Sequence, residues 1–240
     1  DVFDFYVHAH APPGSVLCSS STFTVAWIGL FRELLGLPIT SEGMARLAYD
    51  IERNEIGIKG GRQDKYAGAY GGFNFMEFQG DEAVVTPLRL SEYLINELEY
   101  NLILCFTGSR ESQPIIESQM ESAKNEDVDA MAAMDQVKAI AYDMKKALLA
   151  HDLDRFGNLL HEGWLQKKKM AKGITTPRID ELYDEARNAG AIGGTITGAG
   201  GAGHTLPPYP FNKQPTVTDL LPTRATTVHD ARLATEGVTA

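Results

Sequence analysis

The sequence predicts an α+β protein of two domains, on three observations. Strand-like alternation and buried-helix patterns intermingle up to about residue 96, long amphipathic helices dominate after it, and a serine-rich stretch at Pro12–Thr22 and a glycine-rich one at Gly190–Gly203 punctuate the two halves. The expected division is residues 1–96 and 97–240.

Phe3 to His10 alternates and is rich in Phe, Tyr and Val, which predicts a strand entering a turn at Pro12, Pro13 and Gly14. His8 and His10, two apart on that strand, would share a face. From Ser20 to Leu37 the residues are apolar nearly all round, the pattern of a helix buried in a core. Ser41 can cap a second helix whose apolar positions Met44, Leu47, Ala48 and Ile51 place Glu52 on its flank. Glycines 57, 60 and 61 break it, a short helix spans Gln63 to Tyr70, and Gly71 and Gly72 lead into a strand over Phe73 to Phe78. A short helix capped by Ser91 precedes a buried strand over Asn101 to Phe106. Long helices are expected at Val128–Ala150 and Asp152–Lys172. A third runs from Pro177 to Ala189, with Thr176 as cap, Pro177 at the first helical position and Gly190 at the end. The tail from Pro207 onward reads as strand, helix, strand.

A chain of 240 residues with a formal net charge of −10 lacks the positive field that nucleic acid or an anionic membrane requires. An anionic substrate would therefore need a local basic site. Cys18 and Cys105 are the only cysteines and lie far apart, which argues against a disulfide framework or a zinc site and fits a reducing cytoplasm. No apolar run reaches the roughly 20 residues that span a bilayer. The chain opens at Asp1 without a methionine, and a further segment is expected upstream.

The segment PPGSVLCSSST, Pro12 to Thr22, sits between a strand and a buried helix, where backbone N–H groups and the helix dipole favour an anion. It has neither the spacing nor the lysine of a Walker loop, so a nucleotide fold of another kind is implied; a serine-rich helix cap is the alternative. Arg110 and the cluster Lys167, Lys168, Lys169 are candidates to meet a substrate phosphate, against a plain solvated helix face.

Taken as a whole, PPGSVLCSSSTFTV resembles the phosphate motif PxGxGLGSSSA of the GHMP kinases, named for galactokinase, homoserine kinase, mevalonate kinase and phosphomevalonate kinase. GIKGGRQDKYAGAYGGFNFMEF at Gly57–Phe78 is similar to the catalytic-aspartate segment of the branch acting on heptose 7-phosphate. TGSRES at 107–112, HEGWLQKKK at 161–169 and GAIGGTITGAGGAG at 190–203 resemble further motifs of that branch in the same order.

What the resemblance implies is the two-domain GHMP-kinase fold. Residues 1–96 would be the remainder of a ribosomal-protein-S5-like nucleotide-binding domain, and 97–240 a ferredoxin-like C-terminal domain. The implied activity is transfer of the ATP γ-phosphate to a sugar hydroxyl, with the anomeric hydroxyl of D-glycero-D-manno-heptose 7-phosphate as acceptor. Another GHMP kinase, of fucose or galactose type, and a catalytically silent nucleotide or sugar-phosphate binder remain the alternatives. ATP and Mg2+ are the implied cofactors and a small sugar phosphate the partner, without nucleic acid or membrane and with a homodimer left open.

By the same resemblance Asp64 is the catalytic carboxylate. Pro13, Gly14, Ser15, Val16, Leu17, Cys18, Ser19, Ser20 and Ser21 bind the nucleotide, Ser20 and Glu52 hold the metal, and Arg110, Gly198, Ala199, Gly200 and Gly201 meet the substrate or close the loop. Read from the residues alone, the alternatives are an exposed helix glutamate for Glu52, a helix-start acid for Asp64 and a flexible linker for the second glycine segment. The sequence departs from the family at Val16 and Cys18, each in place of glycine, at Lys65 in place of glutamine, at Thr195 in place of lysine, and at Ala202 and His204 in place of glycine and phenylalanine.

Overall fold

The computed structural model describes residues 4–8, 19–108, 113–201, 204–205, 227–230 and 232–238. Asp4–His8 is not a strand; its alternation is used instead for ring packing, with Phe5 set edge-on to Trp27 at 5.2 Å between centroids. Helix α1 spans Ser19–Leu35. The expectation that it is buried all round does not hold. Val25 and Ile28 enter the core, whereas Phe23, Leu30, Phe31 and Leu34 stay exposed, since the described elements cover one side only.

Helix α2, Ser41–Asp50, is capped one residue earlier than expected, by the Thr40 hydroxyl accepting from the Gly43 N–H. It continues into a π-helical turn over Ile51–Glu55, closed by the Ile56 N–H donating to the Ile51 carbonyl at 3.0 Å. Such turns insert one residue per loop and rotate the side chains beyond them, and this one swings Glu52 into the interior. Helix α3, Gln63–Tyr70, packs across α1 and α2. Val25, Met44, Ala45, Ala48, Tyr66 and Ala69 form the core these helices share.

Strand β1, Asn74–Gln79, pairs antiparallel with β2, Glu82–Pro87, through a hairpin at Gly80–Asp81 that the sequence patterns did not predict. Its signal is Gly80 at φ 55°, a conformation two-residue hairpins demand and glycine adopts freely. Helix α4, Glu92–Asn101, starts at the expected Ser91 cap and delivers the chain to β3, Ile103–Phe106.

Helix α5, Gln113–Lys124, was likewise not predicted, having one buried residue, Ile115, to mark it. Helices α6, Val128–Leu149, and α7, Leu153–Lys167, lie along each other and are joined by a tight turn in which His151 takes φ 56°. The second of them ends five residues short of the expected Lys172. Helix α8, Pro177–Asn188, has the predicted Thr176 cap and N-terminal proline. Strand β3 is the centre of a three-stranded antiparallel sheet between β4, His204–Thr205, and β5, Thr227–Asp230, with Cys105 opposite Thr205 on one side and Val228 on the other. The helix expected within the tail falls outside the described residues. Trp164, Ile174, Ile179, Tyr183 and Ile196 form a second core that fixes the end of α7 against the glycine-rich segment.

The described tail, residues 232–238, returns to the other half of the chain. The Gly72 N–H donates to the Ala234 carbonyl at 3.2 Å, the Leu233 N–H donates to Glu99 Oε1 at 2.7 Å, and Val238 packs on the α1–α3 core. Gly71, at φ 61°, allows this crossing, because a Cβ there would fall 1.9 Å from the Glu236 carbonyl carbon. No helix among the described residues is long and apolar enough to cross a membrane.

Candidate active site

Asp64 is the second residue of α3, half-buried, in the first turn where the helix dipole favours a carboxylate. The glycine loop before it is held by one side chain. From the π-helical turn, Arg53 donates to the carbonyls of Ile58 at 2.6 Å, Gly60 at 2.9 Å and Gly61 at 3.2 Å. Gly60 lets the guanidinium come this close, since a Cβ would lie 2.6 Å from its nitrogen. Arg53 and Arg62 both stack over Tyr49. The approach to Asp64 is thus fixed by a fork of donors rather than left as an open glycine coil.

The end of α7 comes within electrostatic reach of Asp64. Lys167 Nζ donates to the Ile196 carbonyl at 2.8 Å and the Gly198 carbonyl at 2.7 Å. Burial lowers its pKa to about 8, while the negative charge of Asp64 acts the other way. The three lysines therefore part company. Lys168 pairs with Asp180 at 3.1 Å and sits over the Trp164 ring, and Lys169 donates to Gln166.

The closing glycine segment is built to touch backbone. The Gly201 N–H donates to the Ile174 carbonyl at 2.6 Å, and Gln119 on α5 donates to the Ala199 carbonyl at 3.1 Å. Gly200, at φ 107°, has no room for a Cβ, which would stand 2.7 Å from the Ile174 oxygen. Lys59, in the loop before Asp64, reaches Glu117 on α5 at 3.5 Å. Gly198, Ala199, Gly200 and Gly201 are thus held by Lys167, Gln119 and the Ile174 backbone, while Arg110 lies outside the described residues.

Of the expected phosphate loop, Pro13 to Cys18 lie outside the described residues, and Ser19 opens α1. Ser20 is exposed and Ser21 buried. Glu52 is 3% exposed, not on an open flank. Its Oε1 accepts from the Thr24 hydroxyl at 3.1 Å, one turn along α1 from Ser20, whose carbonyl the same hydroxyl also meets. Its Oε2 lies 2.7 Å from Lys65 Nζ and 3.3 Å from an Arg53 nitrogen. The two expected metal-holding residues are therefore neighbours, but one carboxylate already serves two cations. A Mg2+ ion takes oxygens at about 2.0–2.1 Å in a strict octahedron and tolerates no ammonium in its shell. Ser20 suits such an ion; Glu52, as held, does not.

Deeper in, His161 Nδ1 and the Tyr183 hydroxyl share a hydrogen bond of 2.6 Å, their rings nearly parallel. Burial pushes the tyrosine up to about 12 and the histidine below its ordinary value. The pair braces α7 on α8. A cavity of about 870 Å3 between α5, α6 and the turn after α7 lies apart from this centre and includes neither Asp64 nor Lys167 in its walls.

Two family models match the chain. The one described as GHMP kinases N terminal domain covers residues 1–72, and the one described as GHMP kinases C terminal covers residues 144–210. D-glycero-alpha-D-manno-heptose 7-phosphate kinase of Campylobacter jejuni subsp. jejuni is 38% identical over 203 residues, a match covering 84% of this chain and 59% of that protein. The crystal structure of a D-glycero-D-manno-heptose 1-phosphate kinase from Bacteroides thetaiotaomicron has a TM-score of 0.74 at 35% identity, over 95% of this chain and 63% of that one. Lactococcus lactis galactokinase complexed with galactose reaches a TM-score of 0.70 at 18% identity, over 95% and 68% of the two chains, which is likeness of fold alone. The chain spans about three fifths of the length of the two heptose-phosphate kinases.

Proposed function

The chain belongs to the GHMP kinase family, and from that membership we propose that it is the larger part of an ATP-dependent sugar kinase whose acceptor is the anomeric hydroxyl of D-glycero-D-manno-heptose 7-phosphate. The observation that carries the proposal is that Asp64, at a helix start, lies within electrostatic reach of Lys167, a cation pinned to the Ile196 and Gly198 carbonyls of the glycine segment.

Phosphoryl transfer asks for position and charge neutralisation more than for covalent catalysis. Asp64, in the first turn of α3, accepts the proton of the attacking hydroxyl or orients it. Arg53 fixes the loop that sets the carboxylate's approach. Lys167 anchors the glycine segment and supplies positive charge on the acceptor side. The first turn of α1, Ser19 to Ser21, offers N–H groups and the exposed Ser20 hydroxyl to the nucleotide phosphates. Ser20 would hold a Mg2+ ion brought with ATP, which would supply neutralisation of phosphate charge. A small-molecule kinase of this kind would work in the cytoplasm, where ATP is made and held.

The test uses the full-length protein containing this chain. ATP consumption is expected with heptose 7-phosphate and hardly at all with galactose or mevalonate, and Asp64→Asn should cut transfer by about 10²–10⁴ while leaving nucleotide affinity unchanged. Faster turnover on an unphosphorylated sugar would move the acceptor elsewhere in the family. No turnover on any member of the panel would favour a silent binder. Near-parental turnover in Asp64→Asn would remove that residue from the chemistry.

A further inference from the structure

We propose that the Lys65 ammonium stands in the place of a metal ion at Glu52, so that a divalent cation gains Glu52 as a ligand only by displacing Lys65. The inference rests on the proposed kinase activity in one respect, that the ground between Ser20 and Glu52 is the metal-bearing side of a phosphoryl-transfer site.

Lys65 follows Asp64 on α3, but its side chain runs the other way, into the protein, and is 2% exposed. Lysine is almost never buried without a partner, because an uncompensated ammonium in the interior costs several kcal/mol, on the order of what an entire small domain has to spare. Here the partner is Glu52 Oε2 at 2.7 Å, a short charge-assisted contact. The same oxygen also faces Arg53 at 3.3 Å. Thr24 occupies a lone pair of the other oxygen.

The local account is one negative charge against two positive ones, in a place from which water is nearly excluded. A dication brought to that carboxylate would meet net repulsion from Lys65 and Arg53, strengthened by the low local dielectric. Arg53 is needed elsewhere, since it fastens the carbonyls of Ile58, Gly60 and Gly61. Lys65 is not. Among the described residues its amine makes this one ion pair, with Glu52, which makes it the removable cation. The arrangement sets two cations against one carboxylate next to the first turn of α1 and leaves the metal to be held by the nucleotide and Ser20.

The test needs neither ATP nor sugar, so its outcome is separate from that of the kinase assays. Free Mn2+ is titrated into the chain and followed by its electron paramagnetic resonance signal, in parent, Lys65→Gln and Glu52→Gln/Lys65→Gln proteins of confirmed fold. Glutamine keeps a hydrogen-bond donor toward Glu52 without the charge. We expect Lys65→Gln to bind one Mn2+ at least about tenfold more tightly than the parent, and the double variant to lose the gain. Equal affinities in parent and Lys65→Gln would overturn the proposal, as would a gain that survives loss of Glu52. Should Lys65→Gln not fold, Lys65→Met, which keeps the reach of the side chain without its charge, takes its place in the same titration, and an affinity equal to the parent's would overturn the proposal in the same way.

Discussion

Replacing Gly193 with alanine tests whether the glycine segment is pressed onto α7 as closely as described. The added Cβ would lie 1.9 Å from the Gly157 carbonyl oxygen, 2.9 Å from its carbon and 3.0 Å from the His161 nitrogen. Those atoms are the two ends of one helical hydrogen bond, so no rotamer change can make room. Ordinary van der Waals contact would require the segment to retreat by about 1.5 Å. Overpacking of this kind costs about 1–3 kcal/mol, and backbone neighbours place this case at the upper end. For a chain of this size each kcal/mol moves Tm by about 2–4 °C, so a fall of about 6–12 °C is expected.

Gly163→Ala, on the same helix, is the control. Its Cβ would meet only the Ile140 side chain at 3.7 Å, and alanine in a helix interior should raise stability by about 0.4–1 kcal/mol. Thermal melting by circular dichroism of the three proteins decides the matter. A Gly193→Ala protein melting within a degree or so of the parent would refute the close approach, and the anchoring of the segment by Lys167 would lose its geometric basis.

Lys167 and His161 give two predictions in pH. With its pKa lowered to about 8 by burial, Lys167 loses its proton in the folded protein well below the ordinary lysine range, so transfer by the full-length protein should decline above about pH 8, and Lys167→Arg, which stays charged, should flatten that limb; identical alkaline limbs would dismiss the lysine from the profile. In the same window stability moves the other way, because between pH 8 and the ordinary value of 10.5 the unfolded chain binds more protons than the folded one. For His161, burial and the charges of Arg187 and Lys168 hold the folded pKa below 6.5, with Glu162 opposing. Stability should therefore drop as pH falls through and below 6.5, and urea titrations at pH 7 and pH 5.5 should show a smaller loss for His161→Gln than for the parent; equal losses would show that burial of the imidazole does not resist protonation.

Elements with their own local signals were legible in the sequence. Ser91 and Thr176 cap helices because a hydroxyl meets a free N–H within three residues, and that arithmetic needs no tertiary partner. The α1 face was misread because apolarity states what can be buried, whereas burial depends on what lies opposite. The π-helical turn carries no signature in IERNE, and with it went the direction of Glu52. Of three consecutive lysines, Lys167 was distinguishable in principle: it falls three residues after Trp164, on the face that packs inward. The partnership of Lys65 with Glu52 across thirteen residues is a matter of two helices meeting, and no periodicity contains it. The GHMP motifs carried the family and Asp64 because their order along the chain is itself information.

The return of residues 232–238 over Gly71 and Gly72 bears on how the polypeptide reaches its fold. The three-helix core of α1, α2 and α3 is closed by Val238, so segments separated by more than 150 positions must find one another before that core is complete. Closing so long a loop is entropically costly and slow, and it comes after the local helix pairing of α6 with α7. On the ribosome the early helices must therefore wait, with the part of their core that Val238 packs against open to chaperones, until synthesis reaches the strap that covers it. A lesion in that strap would register as poor yield of protein rather than as poor chemistry.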